Sequence, residues 1–101
     1  ASVEELRAAM ENPPEGAHFI DVRKKHEWDT GHIEGFRHIP HDELEQYLDE
    51  LKDGTQVYFL CQSGGRSGRA CDMLVAAGNA NAINVMGGIS EWIARGYPVE
   101  R

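Results

Sequence analysis

Apolar positions along the chain follow two alternating periods. Leu6, Ala9 and Met10 recur at helical spacing behind Ser2-Val3-Glu4-Glu5, which reads as a capping box with Ser2 as the cap and Glu5 reaching back. Asn12-Pro13-Pro14-Glu15-Gly16 stops that helix. His18 to Val22 is a compact strand candidate, and Lys24 to Thr30 a short helix halted at Gly31. Arg37-His38-Ile39 suggests a second short strand, closed by Pro40. Leu44, Tyr47, Leu48 and Leu51 predict a helix over 42–52, and Asp53-Gly54 a turn. Gln56 to Leu60 is the strongest strand, rich in β formers. A polar, glycine-bearing loop follows, Cys61 to Ser67. Ala70, Met73, Leu74 and Ala77 mark the next helix, with Gly78 just past its end. Ala82 to Val85 is another strand, and Gly87-Gly88 leads into a last helix, Ile89 to Arg95, closed by Gly96. Strands alternating with helices predict an α/β fold on a parallel sheet with right-handed crossovers. Periodicity alone does not give the strand order.

The chain of 101 residues suits one domain, 1–101, able to build a core without staples. Seventeen acidic against ten basic side chains give a net charge of −7, which argues against nucleic acid or a membrane surface as partner. Any anion must be drawn by a local positive site. Two cysteines are too few for a disulfide scaffold and point to a reducing, cytoplasmic setting. No apolar run approaches the roughly 20 residues of a membrane helix, and no signal peptide is visible at Ala1.

The chemistry concentrates at Cys61, which directly follows the strongest strand and precedes a helix. In an open α/β sheet, ligands sit beyond the carboxyl ends of strands, so this residue lies at the expected mouth. A free thiol has a pKa near ~8.5 and is only about 3% ionised at pH 7. A helix N-terminus and a nearby cation both favour the thiolate. Here the loop enters a helix, and Arg66 adds a full charge. Gly64 and Gly65 let backbone amides curl around an anion, while Gln62, Ser63 and Ser67 offer polar side chains. The expected result is a cup of donors with a sulfur at its base. The plain alternative is a small buried cysteine before an ordinary turn, and phosphate-binding loops share the pattern.

Other polar residues carry blander readings. Arg69, three positions after Arg66, reads as a solvated charge that could assist an anion. His32, His38 and His41 lack metal-ligand spacing, so no metal is expected. Cys71 falls on the helical stripe as a core residue, not a resolving thiol. Trp28 and Trp92 read as packing anchors.

Three ordered motifs together resemble the rhodanese-like family across nearly the whole chain. The first comprises Asp21-Val22-Arg23, Glu27-Trp28, Gly31-His32-Ile33-Glu34-Gly35 and His38-Ile39-Pro40; the second is the strand Val57 to Leu60 with Cys61-Gln62-Ser63-Gly64-Gly65-Arg66-Ser67; the third is Gly87-Gly88-Ile89 with Trp92. Phe36 departs from the pattern, where the family often has a small residue. The resemblance implies a five-stranded parallel sheet with helices on both faces. It implies that Cys61 takes the outer sulfur of thiosulfate or a similar sulfane-sulfur donor, forms a persulfide, and passes sulfur to cyanide, a small thiol or a thiol protein. No cofactor beyond that cysteine persulfide is implied. Gln62, Ser63, Gly64, Gly65, Arg66 and Ser67 would bind substrate, with Asp21 and Arg23 bracing the loop from behind and His32, in the same supporting layer, ordering its glycine-flanked turn by hydrogen bonding. Two other readings stand beside it: a carrier module delivering persulfide sulfur to a protein partner, and a cysteine-dependent phosphatase. The related phosphatases carry one residue more between Cys and Arg than the four found here, 62–65, and a phosphate needs the wider cradle.

Overall fold

The computed structural model describes residues 1–101. Helix α1 (Val3–Glu11) begins with the expected capping box: Glu5 N–H donates to Ser2 Oγ at 3.1 Å, and Ser2 N–H to Glu5 Oε1 at 2.9 Å. It is followed by β1 (His18–Asp21), α2 (Lys25–Thr30) and β2 (Arg37–His38). A 3-10 turn (Leu44–Tyr47) then runs into α3 (Leu48–Leu51). Strand β3 (Val57–Leu60), α4 (Gly65–Ala77), β4 (Ala82–Asn84) and α5 (Gly88–Ala94) complete the chain.

All strand pairings within the sheet are parallel, in the order β2-β1-β3-β4. The strongest sequence strand is thus central, flanked by β1 and β4. Its four residues are all buried, as expected of a strand covered on both faces. Val57 and Phe59 pack with Leu51, Ala70 and Leu74 of α3 and α4, whereas Tyr58 and Leu60 pack with Val3, Leu6, Ile89 and Trp92 of α1 and α5. Two cores therefore sandwich one sheet. Phe36 fits the second core, 7% exposed, against the ring of Phe19 at 5.7 Å.

Two expectations need correction. The sheet has four strands, not five. Beside β4, the Ala1 nitrogen donates to Asn84 O at 2.7 Å and Met86 N–H donates to Ala1 O at 2.8 Å. The single helix expected over 42–52 is split, because Tyr47 (φ −110°, ψ −1°) leaves α geometry. Leu44 and Leu51 are buried all the same, and their spacing is satisfied by either conformation. Periodicity is blind to that difference.

Candidate active site

β3 delivers Cys61. The residue keeps the phase of Val57 and Phe59, so its side chain enters the core beneath α4 and is 1% exposed. The backbone then turns sharply. Cys61 O accepts from Ile89 N–H at 2.9 Å and Gln62 O from Ser90 N–H at 3.1 Å, fastening both carbonyls to the start of α5. Close approach makes Gly88 necessary: a Cβ there would lie 2.4 Å from Cys61 O. Gly64, at φ +112°, occupies the left-handed region that favours glycine, and its N–H donates to Cys61 Sγ at 3.0 Å. Ser67 Oγ, in the first turn of α4, stands 3.3 Å from the same sulfur.

Burial exerts the largest single influence on the Cys61 thiol and pushes its pKa up. The Ser67 hydroxyl and the amides of Ser67, Gly64 and Ser63 jointly outweigh it, so the pKa falls below the ordinary thiol value. Cys71 shows the contrast. It is half-buried on α4 against the core, and burial followed by the nearby Asp72 charge holds its thiol up at about 11. The same residue type is thus shifted in opposite directions at the loop and ten residues on in α4.

The structure redistributes the roles expected in the loop. Gln62 sends its side chain to Ser90 Oγ at 2.9 Å, away from the sulfur, and Ser63 contributes its amide. Gly65 has ordinary helical geometry with open space at its Cβ position, so Gly64 alone carries the turn. Arg66 does not stand free as an anion trap. Its guanidinium grips Glu27 of α2 at 2.6 and 2.8 Å. Glu27 is held at about 2, first by that hydrogen bonding, against burial. The positive charge at the mouth is therefore already countered.

Asp21 and Arg23 form a fully buried pair. Arg23 reaches both Asp21 oxygens at 2.8–3.0 Å and donates onward to Glu27 O at 3.1 Å and Gly31 O at 2.8 Å. The pair thus fixes the α2 segment that presents Glu27. His32 lies farther back. Its ring stacks on Trp28 at 3.9 Å, and its backbone bridges to Glu100. Trp28 is stacked on its other partner, His38, at 4.8 Å. Arg69 is exposed. No group of three His, Cys, Asp or Glu side chains is placed to hold a metal. A cavity of about 250 Å³, lined by Arg7, Met10, Ile33, Trp92 and Val99 among others, includes no loop residue.

Two residues of the site were missed by sequence reasoning: Glu27 as the partner of Arg66, and Asn84. Asn84 Oδ1 lies 2.5 Å from Ser67 Oγ, and Asn84 Nδ2 donates to Gly64 O at 3.2 Å. These partners are 39 and 17 residues apart in the chain, and no local motif links them.

Comparison with known proteins bears on the family and the fold. Residues 2–95 match the rhodanese-like domain. The chain belongs to the rhodanese-like family. It is 31% identical to thiosulfate sulfurtransferase 16, chloroplastic, of Arabidopsis thaliana, over 84% of this chain and 81% of that protein. It is 35% identical to the proposed sulfur carrier protein YrkF of Bacillus subtilis strain 168, over 80% of this chain but only 44% of YrkF. A rhodanese-related protein from Thermoplasma volcanium superposes with a TM-score of 0.85 at 30% identity, covering 99% of this chain and 95% of that one. Such rhodanese-like relatives include a thiosulfate sulfurtransferase and a proposed sulfur carrier, and no helix here is long and apolar enough to cross a membrane.

Proposed function

We propose that this rhodanese-like domain is a sulfurtransferase that carries sulfane sulfur on Cys61, with thiosulfate or a similar compound as donor. The observation that carries the reading is the sulfur itself: buried at a strand tip, yet supplied with a backbone N–H at 3.0 Å and a hydroxyl at 3.3 Å. Such donors favour an anion at the sulfur. The Cys61 thiolate attacks the outer sulfur of thiosulfate. A Sγ–S bond forms, the bond to the sulfonate sulfur breaks, and its electron pair leaves with sulfite. The negative charge now sits on the outer sulfur of the persulfide. Cyanide or a thiolate attacks that atom in turn. The Sγ–S bond breaks and its pair returns to Cys61 as thiolate. Donor and acceptor bind in succession, so double-displacement kinetics are expected. The chain needs no cofactor for either step.

Intact mass after thiosulfate treatment is the direct test. The expected result is a gain of one sulfur, lost on Cys61→Ser, together with thiocyanate formation from cyanide. No adduct and no thiocyanate would overturn the reading. A second reading, a carrier that hands persulfide sulfur to a protein thiol, is favoured by the likeness to YrkF. It predicts full loading with slow transfer to cyanide and fast transfer to a protein acceptor.

A further inference from the structure

A hydroxyl owns one proton. Around Ser67 Oγ stand three groups able to take it: Asn84 Oδ1 at 2.5 Å, Gly64 O at 3.2 Å and Cys61 Sγ at 3.3 Å. Ser67 is fully buried, so solvent offers no fourth. Asn84 is also fixed in orientation, because its Nδ2 donates to Gly64 O at 3.2 Å. Turning the amide over would set two carbonyl oxygens against each other, so Oδ1 must face Ser67.

The sulfur alternates between two hydrogen-bonding characters. As a thiol it donates its proton to Ser67 Oγ, and the hydroxyl proton is free to go to Asn84. As a thiolate it has nothing to donate and needs the hydroxyl proton. We propose that Asn84 is a positioning residue for sulfur transfer, holding the Ser67 proton while the Cys61 sulfur is neutral and yielding it when that sulfur becomes an anion. The inference rests on the sulfur-transfer reading above for its place in the reaction. When the persulfide forms, charge moves to the outer sulfur, Sγ becomes a neutral bridging atom, and the hydroxyl swings to Asn84. When the acceptor removes the outer sulfur, the returning electron pair on Sγ draws the hydroxyl back. No proton is gained or lost.

Charged groups surround this triangle without entering it. Arg66 of α4 is paired with Glu27 of α2, and Asp21 with Arg23 at the end of β1. The N-terminal ammonium donates to the backbone oxygen of Asn84, and Glu91 of α5 pairs with Arg95. The exchange is therefore of one hydroxyl proton between two acceptors, Asn84 Oδ1 and Cys61 Sγ, and its signature is the interdependence of two substitutions.

The experiment is the rate of alkylation at Cys61 against pH, read on the Cys61 peptide by mass spectrometry. Asn84→Ala removes the competing acceptor and should lower the midpoint by about half to one pH unit, the scale of one hydrogen bond. In a Ser67→Ala background the same substitution should move nothing. A midpoint that rises or stays put in Asn84→Ala, or an equal fall without Ser67, overturns the proposal. If Asn84→Ala does not fold, Asn84→Asp keeps the oxygen and makes it a stronger acceptor. Its midpoint must then rise more with Ser67 present than without, and equal rises overturn the proposal. Failure of the unsubstituted protein to gain sulfur from thiosulfate defeats the sulfur-transfer reading separately, since alkylation needs no sulfur donor.

Discussion

Arg66 and Glu27 act as a single unit, and the behaviour of either depends on the other. The carboxylate Oε1 accepts from Arg66 and also from Lys24 N–H at 3.1 Å, so it is well positioned even when the guanidinium is absent. Arg66→Ala would leave an uncompensated anion facing the loop. The midpoint for Cys61 alkylation should rise in that variant, fall in Glu27→Gln, and return most of the way in the double variant. Alkylation rate against pH over this cycle gives the coupling. If the double variant matched Arg66→Ala, the stranded carboxylate would not be the cause. Glu27 also links the site to acid stability. Its folded value of about 2 lies below the ordinary value of about 4.3, so its contribution is present above about 4.3 and disappears as pH falls through about 2. Glu27→Gln should therefore lose less stability than the parent between pH 5 and pH 2. Urea midpoints at several pH values check this, and parallel curves for the two proteins would refute it.

The first turn of α4 separates two adjacent glycines that look alike in the sequence. Gly64 sits at φ +112°, and Gly65 is helical with room for a methyl group. Gly64→Ala should cost about 1–2 kcal/mol of left-handed strain and displace the N–H aimed at Cys61, so both melting temperature and sulfur loading should fall. Gly65→Ala should keep loading and raise stability by up to about 1 kcal/mol through helix propensity. Calorimetry with intact-mass loading distinguishes the pair, and equal losses would show that both glycines are needed. Several element boundaries were legible because local chemistry sets them: the capping box at Ser2, β formers at 57–60, and Gly78 after α4. The division of labour between Gly64 and Gly65 was not, since nothing in a Gly-Gly pair says which residue turns. The same holds for Gln62, whose amide reaches Ser90, 28 residues away.

Across the whole molecule, what stayed hidden in the sequence was long-range: the strand order, the Glu27–Arg66 pair, and the contact of Asn84 with Ser67. Each depends on how a four-stranded sheet brings separate chain segments to one edge. The net charge, by contrast, was readable at once, and the structure changes its meaning. With Arg66 matched by Glu27, the guanidinium of the loop itself does little to offset the long-range field of a chain carrying −7, and the exposed cation on α4 is Arg69. At about 0.01 M salt the screening length is roughly 30 Å, comparable with the molecule's 35 × 29 × 19 Å extents, so a thiosulfate dianion feels nearly every carboxylate. At about 0.15 M the screening length is roughly 8 Å, and only the groups at the loop, its donors and the Arg66–Glu27 pair, remain in range. The kcat/KM for thiosulfate should therefore rise severalfold over that interval, opposite to the fall expected of an enzyme that draws its anion with an uncompensated arginine. In Glu27→Gln the local charge is exposed and the rise should shrink or reverse. Steady-state rates at matched pH in a series of chloride concentrations make the comparison, and a parent whose kcat/KM falls with salt would show that local attraction outweighs the net field even with Glu27 in place.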